Sequence, residues 1–187
     1  MITKVKYLST IAVAAIALFT TSCSKDDDPI IEENENEVIT TVKLHFKEQG
    51  TTNELVYSWK DADGPGGNAP VIDQIALQPG QTYNVSLSFL DEVNGEDITE
   101  EVSEESVDHR IYYVPSGSSN IQITGLDKDD KNVTLGLNSV WTTTSASTGT
   151  VRIVLRHYAE GGKLEADLIG DPKSSTDVDI QFSSKVE

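Results

Sequence analysis

The 187-residue sequence holds a single cysteine, Cys23, so no internal disulfide can staple the fold and stability must come from packing. Cations are scarce as well: 14 Lys and Arg stand against 31 Asp and Glu, a formal net charge of −17. That imbalance excludes a grip on nucleic acid, whose phosphates need Lys and Arg. It equally disfavours peripheral attachment to anionic lipid. The longest mostly apolar run, residues 8–19, has 12 residues. As a helix at about 1.5 Å per residue it would span about 18 Å, well short of a bilayer core of about 30 Å. The three histidines, His45, His109 and His157, are too scattered along the chain to predict a metal cluster or a catalytic base. Neither a Gly-x-Ser-x-Gly nucleophile turn nor a Gly-x-x-x-x-Gly-Lys phosphate loop occurs. Paired acids exist, but nothing in the sequence fixes two of them across a cleft as glycoside hydrolysis requires. These absences predict no enzyme, no catalytic residue and no organic cofactor.

What is present begins with an export signal. Lys4 and Lys6 precede the short apolar run, and small residues follow it, the pattern of a signal peptide. Thr20-Thr21-Ser22-Cys23 then resembles a lipobox, the site at which bacterial lipoproteins are lipidated on Cys and cleaved just before it. The thiol suits that chemistry because it forms a stable thioether with diacylglycerol, and lipidation accounts for a lone Cys in an exported chain. Two or three acyl chains anchor a protein stably where one holds it only marginally. Ser24-Lys25-Asp26-Asp27-Asp28 resembles the surface-export signal of some Gram-negative lipoproteins. The expected organisation is a signal peptide over 1–22, an acidic disordered tether over 23–37 and a folded domain over 38–187. The tether, rich in acids and poor in apolar residues, cannot bury enough surface to order itself. The expected place is the outer membrane, lipid-anchored and facing the cell surface, with the periplasmic face as the alternative.

From Val38 onward the period is two. Val38, Thr40, Val42, Leu44 and Phe46 share one face, and Leu55, Tyr57 and Trp59 alternate again after the turn at Gln49–Thr52. Further strands are predicted over 71–77, 83–89, 110–114, 121–126, 133–144, 151–157 and 178–182. Pro79-Gly80 reads as the centre of a type II turn. Residues 91–108 hold nine acids and show neither strict period, predicting a long acidic loop with at most a short helix begun at Thr99–Val102. About nine short strands without βαβ spacing predict an all-β fold, an antiparallel β-sandwich of the immunoglobulin-like kind.

The runs TSCSKDDD, DADGPGGNAPVI, LQPGQTYNVSLSFL, EDITEEV, LGLNSVWTT and LRHY together give the chain a look that resembles a group of small surface lipoproteins of Gram-negative bacteria. Such chains are sometimes labelled as type 1 periplasmic-binding-fold proteins. A two-lobed α/β receptor of that kind needs repeated βαβ units and a longer chain, and this sequence has neither. The resemblance implies a membrane-anchored surface protein and no particular chemistry.

Two places carry charge suited to cations. Asp61-Ala62-Asp63-Gly64 sets two carboxylates one residue apart before a Gly, a loop able to offer oxygens to Ca²⁺, although Pro65 stands where a third acid would help. The alternative is a turn in which Asp and Gly serve the backbone. The 91–108 cluster sets Glu100, Glu101, Glu104 and Glu105 near His109, but reads better as a solvated loop, since a transition metal wants more than one ring. His157 shares parity with core residues and reads as a satisfied buried histidine. Trp59 and Trp141 at strand ends could form a platform for sugars, though parity assigns both to the core. The function expected is a non-enzymatic binding module for an extracellular glycan or protein. The alternative is an accessory solute- or calcium-binding protein using Asp61, Asp63 and the acidic loops.

Overall fold

A computed structural model describes residues 38–64, 66–159 and 162–187. The leader, Cys23 and the tether lie outside the described residues. In chain order the elements are β1 (Thr41–Glu48), β2 (Glu54–Lys60), β3 (Val71–Ile72), β4 (Ile75–Leu77), β5 (Thr82–Asp91), β6 (Glu96–Asp97), α1 (Ile98–Glu104), β7 (His109–Pro115), β8 (Ile121–Thr124), β9 (Asn138–Thr143), β10 (Ser147–Tyr158) and β11 (Ser174–Val186). Seven strands form one sheet in the order β3-β2-β1-β5-β9-β8, with β6 beside β5; four form the other in the order β4-β11-β10-β7. Every pairing is antiparallel except β4 with β11. The fold is an all-β sandwich.

The period of two does the packing. Val42, Leu44 and Phe46 of β1, and Val85, Leu87 and Phe89 of β5, point inward from the large sheet. Val151, Ile153 and Leu155 of β10, and Val178, Ile180 and Phe182 of β11, meet them from the small sheet in one cluster. Phe46 is the hub: Tyr57, Tyr83 and Trp141 each present an edge to it, with ring centroids 5.0–5.9 Å away. Tyr113 of the small sheet meets Trp141 of the large one edge-on at 5.9 Å, tying the layers together.

The strands differ from the expected set at three places. The run 71–77 divides: β3 pairs with β2 in the large sheet, while β4 crosses to the small sheet beside β11. The stretch 133–144 is interrupted at Gly136, whose φ of +91° turns the chain, and where an added Cβ would lie 3.0 Å from the Ile111 carbonyl oxygen. The acidic segment folds into β6 and α1. Asp97 caps α1 by accepting from the Thr99 amide, and Ile98 and Val102, one turn apart, anchor it to the core. Asp91 is buried and accepts from the Val93 and Asn94 amides, so it serves a turn.

Candidate functional site

The polar centre of the domain is built by one irregularity. β10 and β11 run in register down to Leu155 opposite Val178, then Arg156 lies opposite Thr176, leaving Asp177 as the extra residue of a β-bulge. A bulge re-aims a side chain that strict alternation would send the other way. Asp179, two residues on, faces out and takes Arg152 in two hydrogen bonds of 2.6 Å. Asp177 instead turns toward the side of Val178, and its side chain is 0% exposed.

Two histidines meet it. β7 pairs with β10 so that His109 lies directly opposite His157. Their rings stack at 4.6 Å between centroids and 23° between planes. The His109 side chain is also 0% exposed. Its Nδ1 lies 3.2 Å from the Glu105 carbonyl oxygen. A carbonyl only accepts, so Nδ1 carries the proton and Nε2 keeps a bare lone pair. That Nε2 is 4.0 Å from Asp177 Oδ2, too far for a hydrogen bond. Among the described residues, His109 Nε2, His157 Nδ1 and both Asp177 carboxylate oxygens are buried without a hydrogen-bond partner, as is Ser175 Oγ across from His157. Such unmet groups cost about 1–3 kcal/mol each. Glu105, just past the end of α1 and itself exposed, stands at the outer side, with one of its ligand atoms within 4.8 Å of those of both histidines.

The frame behind the site is firm. Lys163 is buried and donates to the carbonyl oxygens of Ser106, His109 and Thr134 at 2.6, 2.8 and 3.1 Å, while it pairs with Asp129 at 2.9 Å. Burial pushes its pKa down, against the pull of Asp129. Burial, helped by the neighbouring His157, pushes His109 down to about 4. Burial pushes Asp177 up to about 6, against the opposing influence of His157 and Arg156. At neutral pH the centre therefore holds neutral His109 and an anionic Asp177 that no hydrogen bond satisfies. Chemically, it can accept a proton or a cation.

The sites expected from sequence fall elsewhere. The Asp63 carboxylate accepts from the Asn68 amide at 2.9 Å and the Asn68 side chain at 2.6 Å. A Cβ on Gly67 would lie 2.5 Å from it, so Gly67 makes room for this closure. Asp61 is half-buried, with Oδ1 buried and without a hydrogen-bond partner. Cys23 lies outside the described residues. Trp141 is fully buried and Trp59 packs on the core. The reading of His109 and His157 as scattered needs correction: strand pairing makes them neighbours. His157 is half-buried and unsatisfied at Nδ1, not a satisfied core histidine. The signal available was parity, since His109 shares a face with Ile111 and His157 with Leu155.

No family model matches the chain, and neither the curated proteins nor the solved structures contain a significant match.

The two buried groups act on stability in opposite senses. Asp177 has a folded pKa of about 6 against an ordinary 3.8, so its contribution is present at low pH and lost as the pH rises through about 6. His109 has a folded pKa of about 4 against 6.5, so its contribution is present above about 6.5 and lost as the pH falls toward 4. With His157, Glu105, Asp108, Lys163 and Arg156 facing the pair unchanged, the two contributions largely cancel. Asp177→Asn leaves only that of His109. Urea unfolding in chelator should then show the variant losing roughly 3 kcal/mol more than the wild type between pH 7 and pH 4. Parallel pH profiles would contradict the assignment.

Proposed function

We propose that the chain is an outer-membrane lipoprotein, anchored through lipid on Cys23, held on an acidic tether at the cell surface, and acting as a non-enzymatic binding module for an extracellular protein or glycan. Support for the anchor is the Lys4/Lys6 start, the short apolar run and the TTSC–SKDDD junction. The observation that carries the binding role is an open sheet edge. β3 covers the Trp59–Lys60 end of β2, and Asp73 takes both the amide and the carbonyl of Ser58. The shorter stretch 54–57 lies at the edge of the sheet with Leu55 and Val56 40% and 48% exposed, and Val71 and Ile72 of β3 are 71% and 43% exposed. An uncovered edge with apolar side chains is suited to pairing with another chain.

Cys23→Ala should abolish incorporation of labelled fatty acid and release the protein from the membrane fraction. A variant that stays membrane-bound contradicts the anchor. A photo-crosslinking residue at Val56 should yield adducts on intact cells, while one at Arg152 on the other sheet should not. Equal yields from both positions would remove the edge from the account.

A second reading, calcium binding at Asp61 and Asp63, rests on the unpartnered buried oxygen of Asp61. Calcium at 100 times its dissociation constant should add about 2.7 kcal/mol to the unfolding free energy. The gain should vanish in the double variant Asp61→Asn, Asp63→Asn. A melting midpoint indifferent to calcium leaves both acids as loop-closing residues.

A further inference from the structure

We propose that Glu105, His109 and His157, whose ligand atoms lie within 4.8 Å of one another, form a binding centre for a divalent transition-metal ion of the zinc class, with Asp177 as a further donor beside His109 Nε2. The donor chemistry selects the ion. Two imidazole nitrogens and a carboxylate oxygen suit zinc and its late first-row neighbours, whereas calcium prefers a shell made of oxygen alone. The site is thus distinct in chemistry and place from the Asp61/Asp63 loop, and it stands whether or not Cys23 carries lipid.

The geometry points the same way. His109 is held as metal-ligating histidines are held, with one ring nitrogen donating to a backbone carbonyl and the other left bare. The bare Nε2 and Asp177 Oδ2 are 4.0 Å apart. That is too far to share a proton, but within twice a metal–ligand bond of about 2.1 Å. His157 Nδ1 and both oxygens of Asp177 are buried without a hydrogen-bond partner among the described residues. His109, His157 and Asp177 come from three adjacent strands of one sheet, β7, β10 and β11, so their spacing is set by rigid backbone, and Glu105 reaches the histidines from just past α1. The bulge would be a costly feature if it served only to bury an unpaired carboxylate, whereas an ion gives its direction a purpose. Half-buried His157 and exposed Glu105 leave a route in from solvent.

The test uses the purified full-length protein in detergent, stripped by chelator and titrated with Co²⁺ and then Zn²⁺. One equivalent of Co²⁺ should produce visible d–d absorption stronger than that of the aqueous ion, and Zn²⁺ should displace it. Zinc should also raise the melting midpoint. Asp177→Asn, isosteric and relieved of a buried charge, should fold and weaken zinc binding at least about 100-fold, as should His157→Gln. Glu105→Gln, which removes the carboxylate that converges on both histidines, should weaken it at least about tenfold, and Asp61→Asn with Asp63→Asn should not affect it. Loss in Asp177→Asn with the apo midpoint retained supports the centre even if His157→Gln fails to fold. Absence of the Co²⁺ band in the wild type overturns the proposal. So does a zinc affinity unchanged in Asp177→Asn.

Discussion

The extra residue in β11 is the constraint on which the polar centre depends. In a strand of strict alternation Asp177 would share the outer face with Asp179 and find an arginine there, as Asp179 finds Arg152. The slip of register between Leu155 and Arg156 sends it inward, beneath two histidines that strand pairing has placed opposite each other. One backbone irregularity thus converts a surface carboxylate into a buried one. Burial then follows through to electrostatics: the same desolvation raises the pKa of Asp177 and lowers that of His109, so each is driven toward its neutral form.

A centre with this much unmet hydrogen-bonding capacity needs a rigid surround, and the sandwich supplies it. Phe46, Trp141 and Tyr113 lock the sheets through edge-on ring contacts. Lys163 fastens the backbone around the site by donating to three carbonyls, including that of His109, while Asp129 offsets its charge. A buried ion pair contributes little net stability when its attraction barely exceeds the desolvation cost. Here the additional carbonyl acceptors are what make the lysine tolerable, and its value is geometric: it joins the end of α1, the start of β7 and the 129–134 turn.

The faces of the strands were legible because alternation is local. Val42 to Phe46, Tyr83 to Phe89 and Val178 to Phe182 are buried as their parity requires. Sheet membership was not legible, since periodicity says which way a side chain points and nothing about which partner strand it meets. Hence 71–77 read as one strand although its halves join different sheets. The site was half legible. Inward parity was visible at His109 and His157, but 48 positions separate them and only the β7–β10 pairing makes them neighbours. Asp177 carried no signal at all, because a bulge is a property of two strands together. Of the acids visible as a run at 91–108, Asp91 serves a turn, Asp97 caps α1 and Glu92 pairs with Lys43 and Lys60, while Glu105 and Asp108 act on the histidines.

The most direct test of this arrangement is a long-range ¹H–¹⁵N correlation spectrum of the histidine rings recorded across pH in chelator. His109 should appear as the neutral tautomer protonated on Nδ1, staying neutral until the pH approaches about 4. Its ring should contact His157. A His109 protonated on Nε2, or titrating at the ordinary 6.5, would mean that the ring is neither held by Glu105 nor buried against Asp177, and the account of the centre would be wrong.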